Sequence, residues 1–406
     1  MISQEPKKLE PVLYLTHRVP YPPDKGDRIR NYHLLRQLAA RGRVWLGSIA
    51  DEPVPPETVA VLRGLCEQVA IVPIGRLGRW TRAGVSLLCG RSLSEGLFSQ
   101  SRLRSTIRAW AAQTRFSAAV ASASSLAPYL RRDGLENANS VVDLVDVDSQ
   151  KWLDYASASK PPRRWLYRLE AARVRKLEAQ LPRWVRAISV VSRAEADIYD
   201  SFAGSGSATV ATNGVDLAYF HPTDQPLETA CAFVGAMDYL PNVDGVLWFA
   251  REVWPAIRAR FPSAEFRIVG RKPASAVQAL SSVPGVVVTG SVPDVRPYVR
   301  TASVVVAPLR LGRGVQNKVL EALAMGKAVV ASPSALAGLR TENGRHLLKA
   351  STAPEWIEAV SDLLNNASRC CELGSAGRQY VEENHHWEEC LEPLIQKIFN
   401  PAVSSK

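Results

Sequence analysis

The chain has 406 residues, of which 46% are apolar and 22% are charged, and its formal net charge is +11. This length exceeds what one hydrophobic core supports, and the composition is that of a globular protein, so we expect two domains. No apolar run approaches the roughly 20 residues that span a bilayer, and the polar N-terminus lacks the apolar core of a signal peptide. We therefore predict a cytoplasmic protein with a short disordered lead. Its six cysteines show no zinc-ligand spacing and are expected to be reduced, mostly buried thiols.

Positive charge is concentrated in two segments of the first half. Segment 76–115 holds eight arginines and one acid, Glu95, and segment 160–186 holds nine basic residues and two acids, Glu170 and Glu178. Aromatic and leucine side chains are interleaved with both segments. This mixture favours an anionic membrane surface, and a solvated helix face is the alternative. Nucleic acid is not expected as a partner, because no nucleic-acid motif accompanies the charge.

The first half alternates strands with helices, as in a doubly wound α/β domain. A strand at 12–16 leads into a proline-rich loop that contains Gly26 and Asp27, and an amphipathic helix follows over 29–40. A basic helix is predicted over 163–181. Further strands are predicted at 44–49, 69–72, 118–121, 141–145, 187–191 and 209–211.

The second half repeats this alternation after a loose segment, and we place the domain boundary at 225/226. Three of its strands end in Gly235, Gly270 and Gly290, which predicts an edge where the backbone approaches a ligand. Strands are predicted at 232–234, 265–269, 286–288, 304–306 and 328–331. Helices are predicted over 243–260, 315–325, 355–364 and 387–399.

The stretch 307–332 reads APLRLGRGVQNKVLEALAMGKAVVAS and joins a strand, a glycine loop, a helix and a second strand. Gly312 and Gly314 let the backbone bend, and Gly326 stands where a helix is expected to end. The N–H groups of the first helical turn suit a phosphate, with Lys318 and Glu321 one turn apart on the helix. An ordinary βαβ unit with a flexible loop is the alternative.

Two motifs give the pattern a family resemblance: NGVD-x-x-x-F-x-P over 213–222, and G-x-G-x-x-x-K-x-x-E-A-x-A-x-G over 312–326. With the two Rossmann-like halves, they resemble the retaining GT-B glycosyltransferases of family four over nearly the whole chain. HRVPYPPDKGDRIRNYHLL, DVDSQKW and RGVQNKVLEALAMGKAVVAS are similar to sugar transferases found with exosortase (PEP-CTERM) exopolysaccharide loci.

The resemblance implies an α/β fold of two Rossmann-like, doubly wound domains that face each other across a cleft. The N-terminal domain, 1–225, would bind the acceptor, and the C-terminal domain, 226–385, would bind the nucleotide sugar. The segment 386–406 would be a helix that returns toward the N-terminal domain, followed by a tail.

The resemblance also implies a nucleotide-diphosphate sugar as donor, with no metal and no cofactor. Glu321 matches the second glutamate of the family's E-seven-residues-E pattern and would accept hydrogen bonds from the ribose hydroxyls. Arg313 stands in place of the first glutamate; it would pair with the diphosphate or an acidic sugar, or point to solvent. Lys318 would add a cation to the site or pair with Glu321. The phosphate would be bound by the N–H groups of Gly314, Val315, Gln316 and Asn317.

Relatives hold the diphosphate with an arginine and a lysine in the segment that corresponds to 235–242, where this chain has Asn242 and no basic residue. We predict that Arg271, directly after the strand that ends at Gly270, replaces them. The loop after Gly290 matches the one whose backbone reads the base. The remaining donor residues predicted on this basis are Gly235, Asp238, Arg271, Val292 and Pro293.

In the first domain, Gly26 and Asp27 match the glycine loop that closes over the reacting centre of the family. Asp146 and Asp148 follow the strand after which many relatives place a histidine, so either could orient an acceptor hydroxyl or take its proton. Alternatively, Asp148 caps the next helix. His17 is an outside candidate.

These observations predict a metal-independent, retaining glycosyltransferase that acts on an acceptor hydroxyl, with a lipid-linked glycan of exopolysaccharide biosynthesis as the expected acceptor. It would be cytoplasmic and peripheral on the inner membrane. A GT-B sugar-nucleotide epimerase or a non-catalytic GT-B scaffold is the alternative. A nucleotide-cofactor oxidoreductase is not expected, because no G-x-G-x-x-G follows the first strand.

Overall fold

The computed structural model describes residues 9–24, 26–131 and 134–400, apart from the side chains of 76, 77 and 79. The predicted disordered lead falls mainly on 1–8 and therefore lies outside the described residues. The chain divides into two compact units, one formed by 9–211 with 391–400 and the other by Thr212–Cys390. This division differs from the predicted boundaries at 225/226 and 385/386. The segment after 211 joins the second unit because Val215 packs into that unit's apolar core and Asn213 bonds to Asn317.

The first unit is an alternating α/β structure. Its strands are β1 (Glu10–Thr16), β2 (Gly42–Ala50), β3 (Gln68–Pro73), β4 (Ala118–Ser122), β5 (Asn139–Val145), β6 (Ala187–Val190) and β7 (Ala208–Val210). Its helices are α1 (Gly26–Arg41), α2 (Pro56–Leu65), α3 (Arg76–Leu88), α4 (Leu93–Phe98), α5 (Ser101–Gln113), α6 (Asp148–Ser157), α7 (Arg163–Gln180) and α8 (Arg193–Ala203). Short 3-10 turns lie at Ser124–Arg131 and Leu181–Arg183.

These strands form one parallel sheet in the order β3-β2-β1-β4-β5-β6-β7. The order reverses between β1 and β4, so the loops after these two strands meet at the carboxyl edge, where doubly wound folds bind ligands. Side chains alternate across the sheet, and one face carries the apolar core that includes Leu13, Leu15 and Ala119.

The other face of this sheet carries buried polar side chains beneath α1. Arg30 is fully buried and makes two hydrogen bonds to Asp143 of β5, at 2.8 and 3.0 Å. Asn31 accepts hydrogen bonds from the Tyr14 hydroxyl at 3.0 Å and from Ser122 Oγ at 2.7 Å. Because buried charges need partners, this pairing defines how α1 sits on the sheet.

The second unit repeats the architecture. Its strands are β8 (Glu228–Val234), β9 (Glu265–Val269), β10 (Val286–Gly290), β11 (Ala302–Ala307), β12 (Ala328–Ala331) and β13 (Leu348–Lys349). Its helices are α9 (Leu240–Trp248), α10 (Trp254–Arg260), α11 (Ser275–Gln278), α12 (Arg296–Thr301), α13 (Asn317–Ala324), α14 (Ala353–Asn365) and α15 (Ala367–Asn384). A π-helical turn, Phe249–Val253, separates α9 from α10, and 3-10 turns lie at Ala279–Ser282 and Pro333–Ala335. The last helix, α16 (Trp387–Phe399), starts in this unit and belongs to the first unit from Leu391 onward.

The second sheet is also parallel, with the order β10-β9-β8-β11-β12-β13. The switch point lies between β8 and β11, so the loops that begin at Gly235 and Pro308 meet at one edge. The α/β fold class with two doubly wound domains is therefore confirmed for each unit taken separately.

The structure differs from the predicted helices at α1 and α15. The helix predicted over 29–40 begins three residues earlier, so Gly26 and Asp27 lie in the first turn of α1 and not in a loop. The sequence analysis did not predict α15, whose buried stripe includes Gly374 and Gly377. A Cβ at 374 would lie 2.0 Å from the carbonyl oxygen of Gly326, so glycine is needed for close packing although it disfavours helices.

The cysteines of the described chain form no disulfide, and three of them, Cys231, Cys370 and Cys390, are buried. Cys66 is half-buried, and Cys89 and Cys371 are exposed, so the prediction of mostly buried thiols holds for half of them. Within the described residues, no helix is long and apolar enough to cross a bilayer.

Candidate functional site

The glycine loop of the second unit is anchored at several points. Arg310 makes a bidentate pair with Asp244 of α9, with Nε 2.8 Å from Oδ2. The carbonyl oxygen of Leu309 accepts a hydrogen bond from Ser332 Oγ at 2.5 Å. Gly314 has a φ of +60°, a left-handed conformation that glycine adopts without strain. These contacts fix the path of the chain into α13.

Helix α13 begins at Asn317, two residues later than predicted. Asn213 of the NGVD motif donates to Asn317 Oδ1 at 2.8 Å, and the Asn213 carbonyl oxygen lies 2.8 Å from Nδ1 of His385. Since a carbonyl oxygen only accepts, His385 carries its proton on Nδ1, and Nε2 accepts from the Tyr380 hydroxyl at 3.1 Å. Burial lowers the pKa of His385, which agrees with a neutral, structural histidine.

The four residues predicted to bind phosphate lie at the start of this helix. Gln316 is the N-cap residue, and its side-chain amide donates to the carbonyl oxygen of Arg313 at 2.7 Å. Gly314 is buried, while Val315 and Asn317 are half-buried. Gly314 and Val315 precede the helix, and Asn317 is its first residue, so the N–H of Asn317 has no partner within the helix. Arg313, in the loop before the helix, is half-buried.

Lys318 and Glu321 lie on the same side of α13. Lys318 Nζ donates to Asn242 Oδ1 at 2.5 Å and lies 4.5 Å from the ring centre of Phe233. The predicted alternative, a Lys318–Glu321 salt bridge, is not formed within the described residues, because the lysine reaches Asn242. Burial lowers the pKa of Lys318 to about 7 and raises the pKa of Glu321 to about 7, and each group's charge opposes the shift of the other.

Lys318 and Glu321 share one small pocket at the carboxyl edge of the second sheet. Most of the remaining lining is apolar and comes from β8, β11, α12 and α13. The other lining residues are Phe220, Val234, Val295, Val299, Val305, Ala322 and Met325. A cation and a carboxylate in apolar surroundings are typical of a ligand site.

The strand-end glycines have a reason other than the predicted one. Gly270 has a φ of +152°, and a Cβ there would lie only 1.7 Å from the carbonyl oxygen of Gly235. A Cβ at 235 would meet the Asn242 side chain at 2.6 Å. At Gly235 and Gly270 the protein's own atoms fill the space that a Cβ would need, so internal packing already requires glycine there; the approach of a ligand to this edge stays a prediction. No described atom lies within 4 Å of a Cβ built at Gly290.

The remaining predicted donor residues surround this edge. The carbonyl oxygen of Arg271 accepts from Met237 N at 2.9 Å, which ties the two strand ends together. Asp238 is exposed in the turn before α9. Val292 is half-buried and Pro293 is exposed in the segment after β10.

In the first unit, Asp27 is held by two basic side chains at the carboxyl edge of β1. Its Oδ2 lies 2.7 Å from Arg18 Nη1 and 3.4 Å from His17 Nε2. Arg18 also contacts Asp51 at 3.2 Å, and His17 Nδ1 lies 3.3 Å from the carbonyl oxygen of Ser122. Burial alone would raise the pKa of Asp27, but His17 and Arg18 hold it below its ordinary value, so Asp27 is a carboxylate.

Asp146 and Asp148 lie in a strained turn after β5. Val145 has a φ of +65°, a left-handed conformation that is rare for a β-branched residue and is typical of functional sites. Asp148 Oδ2 accepts from Ser124 Oγ at 2.7 Å. The alternative reading of Asp148 as a helix cap is not supported, since Val147 is the N-cap residue and Asp148 is the first residue of α6.

Two buried glutamates accept hydrogen bonds from the backbone of this turn. Glu195 of α8 accepts a hydrogen bond from Val147 N at 2.7 Å, and Glu178 of α7 accepts one from Ser149 N at 3.3 Å. Burial, with the nearby charge of Asp148, raises the pKa of Glu178 to about 8. The backbone on both sides of Asp148 is therefore held by buried side chains.

These supporting residues were not predicted from the sequence. Glu195 also lies in the first turn of α8, where its N–H donates to the N-cap Ser192, and Glu178 belongs to the predicted basic helix. Asn242 was noted only as a departure from the family. Each contact joins residues that are distant in sequence, so spacing alone does not reveal it. Among the described residues, no group of three or more His, Cys, Asp or Glu is placed to hold a metal ion.

Similarity to known structures identifies the fold. Sucrose-phosphate synthase from Thermosynechococcus elongatus matches with a TM-score of 0.70 and 17% identity, over 95% of this chain and 98% of that chain. HepE from Anabaena, in complex with UDP-glucose, matches with a TM-score of 0.68 and 12% identity, over 96% and 99%. WaaG, a glycosyltransferase involved in lipopolysaccharide biosynthesis, matches with a TM-score of 0.66 and 13% identity, over 96% and 100%.

The chain thus has the fold of the GT-B glycosyltransferases, as predicted. Residues 228–366 match the family model described as glycosyl transferases group 1, so the second unit carries a glycosyltransferase group 1 domain. No curated protein matches the chain in sequence.

Proposed function

We propose that this protein is a retaining, metal-independent glycosyltransferase that transfers a sugar from a nucleotide-diphosphate sugar to an acceptor hydroxyl. The observation that carries the proposal is that Lys318 and Glu321, both in the first five residues of α13, line one pocket of the group 1 domain. A helix N-terminus and a lysine favour a diphosphate, and a carboxylate favours the ribose hydroxyls. HepE, a structure of the same fold, is in complex with UDP-glucose.

On the donor side, Lys318 would exchange its neutral partner Asn242 for the diphosphate. An anion near Lys318 would raise its pKa and keep the ammonium charged. That charge would stabilise the diphosphate as it leaves the sugar. Hydrogen bonds from the ribose hydroxyls to Glu321 would favour its carboxylate form.

On the acceptor side, Asp148 is oriented by Ser124 and by the turn that Glu178 and Glu195 support. This carboxylate, or Asp146 beside it, would orient the acceptor hydroxyl or accept its proton. Asp27 is already ionised, so it suits an electrostatic role near the reaction. We propose a lipid-linked glycan of exopolysaccharide biosynthesis as acceptor, on the strength of the resemblance to exosortase-associated transferases.

The donor is tested by thermal unfolding with a panel of UDP-, GDP-, ADP- and dTDP-sugars. A cognate donor at about a hundredfold excess over its Kd should stabilise the wild-type protein by about 2.7 kcal/mol. Glu321→Gln should lose most of this shift, while Glu358→Gln, an exposed glutamate of α14, should retain it. An identical shift in the Glu321→Gln variant would contradict the assigned donor site.

The stereochemistry and the metal requirement are tested separately. The cognate donor is supplied with water or a sugar as acceptor. NMR of the first product formed should show that the transferred sugar keeps the anomeric configuration it has in the donor. Activity should survive treatment with EDTA. Inversion of the anomeric centre, or a loss of activity that added Mg²⁺ restores, would contradict the corresponding part of the proposal.

A GT-B epimerase or a non-catalytic scaffold is a second candidate, because Arg313 replaces the first glutamate of the family pattern. An epimerase would convert the nucleotide sugar to its epimer without an acceptor. A scaffold would bind a nucleotide and release no sugar. Transfer that depends on Glu321 excludes both.

A further inference from the structure

Two helices of the first unit expose large apolar side chains. On α3, Trp80 is 62%, Val85 60% and Leu88 89% exposed. On α7, Trp165 is 64% and Leu169 41% exposed, and Leu166 between them is 44% exposed. Leu88 lies three residues after Val85, and Leu169 lies three and four residues after Leu166 and Trp165, so these side chains are neighbours on their helices. These six side chains are named here the α3–α7 apolar surface.

The two helices belong to one continuous region of the unit. Arg173 of α7 donates from Nη1 to the carbonyl oxygens of Leu87 at 2.6 Å and Arg91 at 2.9 Å, at the end of α3. Glu170 of α7 accepts from Leu93 N at 2.6 Å, at the start of α4. These half-buried and exposed contacts join α7 to the end of α3 and to the start of α4.

The charge exposed around this surface is basic. The two acids of segment 160–186, Glu170 and Glu178, are 1% and 0% exposed, so they contribute little negative charge to the surface. Arg163, Arg168 and Lys176 of α7 are exposed. The exposed charge of segment 160–186 is therefore more positive than its composition indicates, because both of its acids lie inside the protein.

Aromatic side chains also pack between α6 and α7. Trp152 and Tyr155 of α6 pack with Tyr167 of α7, with ring centres 5.4 to 6.2 Å apart, and all three are half-buried. Aromatic rings with a polar atom at one edge favour the boundary between hydrocarbon and water. An exposed apolar stripe, a basic border and half-exposed aromatics together match the interface of an anionic bilayer.

We propose that the α3–α7 apolar surface binds the interfacial region of a bilayer that contains anionic lipid. The apolar side chains enter the acyl–headgroup boundary, and the arginines and lysines contact lipid phosphates. The basic border fits an anionic partner, whereas a second copy of this chain would oppose like charges. This inference does not depend on the reaction proposed above, because it rests on residues outside both candidate sites.

The test is co-sedimentation of the full chain with vesicles of phosphatidylcholine alone, or of equal parts phosphatidylcholine and phosphatidylglycerol. The double variant Trp80→Ser/Leu88→Ser should weaken binding to the anionic vesicles by about tenfold or more. The matched control is Leu227→Ser/Val287→Ser, which removes two side chains of the second unit that are both 39% exposed. It should bind as the wild type does. Thermal unfolding of each variant establishes that it is folded.

Three results would overturn the inference. They are equal binding of the wild type to both vesicle types, unchanged binding of the α3 variant, or a dimer in light scattering that the α3 variant dissociates. The last result would assign the surface to a second copy of the chain. Donor-induced thermal shifts measured on the same preparations report on the proposed reaction, so a failure of one proposal is distinguished from a failure of the other.

Discussion

Lys318 Nζ donates to Asn242 Oδ1, and the same ammonium lies over the face of Phe233. Both contacts favour the charged form only modestly, because the amide is neutral and the ring offers only its quadrupole. Burial prevails, and the pKa of Lys318 falls to about 7. The lysine is thus held in place by neutral groups, in a position where an anion would be a stronger partner.

The pH dependence of stability should report on this lysine. The pKa of Lys318 is about 7 in the folded protein and near 10.5 when unfolded, so the unfolded chain binds more protons between these values. Lys318 therefore makes the free energy of unfolding rise with pH over this range. Lys318→Met should remove this rise in urea unfolding curves. The control Lys349→Met, at an exposed position, should retain it; a wild-type slope in the Lys318→Met variant would contradict the assignment.

Glu321 should act in the opposite direction at lower pH. Its pKa is about 7 in the folded protein against 4.5 as the reference value, so the folded chain binds more protons in this interval. The free energy of unfolding should therefore fall as pH rises from 4.5 to 7. Glu321→Gln should make this part of the profile flatter, as measured by urea unfolding. The exposed Glu358→Gln is again the control, and equal slopes in both variants would count against a buried Glu321.

Glu195 should position the turn that carries Asp146 and Asp148. Glu195→Ala removes the acceptor of Val147 N and should cost about 1–3 kcal/mol of stability. It should also lower kcat while the KM for the donor stays unchanged. Glu195→Gln retains an acceptor oxygen and should restore most of kcat. If kcat per folded molecule is the same in the wild type and the alanine variant, the role of Glu195 is only structural.

Val145→Gly should change the free energy of unfolding much less than a glycine substitution in the buried part of β5. The left-handed backbone of Val145 costs roughly 1–2 kcal/mol, and glycine relieves it. This gain offsets the lost side chain and the greater freedom of the unfolded chain, so the free energy of unfolding should change by less than about 1 kcal/mol. Val142→Gly, in the buried part of β5, should cost about 3 kcal/mol or more. Equal losses at both positions would show that Val145 is not strained.

The buried pair Arg30–Asp143 should behave as a unit. Arg30→Met leaves Asp143 buried without its cation and should cost about 3–5 kcal/mol, measured by chemical unfolding. Adding Asp143→Leu to this variant should recover most of the loss, since neither charge is then buried. For comparison, removing the exposed pair Arg345–Glu342 should cost at most about 1 kcal/mol. A double variant as unstable as the sum of its singles would contradict this coupling.

The parts of the fold that depend on local pattern could be predicted from the sequence. Most strands of both sheets are short and apolar, so their positions are clear from the pattern, whereas the two-residue β13 was not predicted. The end of α13 was predicted from Gly326, which has a φ of +65° after the last helical turn. The start of α1 was not, because Gly26 and Asp27 have low helix propensity, while the buried Arg28 belongs to the helix.

The candidate site was predicted less completely than the fold. Motif spacing identified Lys318 and Glu321, which the structure brings into one pocket. The partner of Lys318 could not be predicted, because Asn242 is 76 residues away and is not basic. The helix-cap alternative for Asp148 looked reasonable from local sequence, yet Ser124, contributed from beyond a neighbouring strand, is its actual partner.

The Arg30–Asp143 contact also has a mechanical consequence. Arg30 is one helical turn after Asp27, and Asp143 is two residues before the strained Val145 and three before Asp146. Two fully buried hydrogen bonds thus join α1, which carries Asp27, to β5, which leads to Asp146 and Asp148. These acids are parts of one stiff frame, and any rearrangement during a catalytic cycle would carry them together rather than adjust one against another.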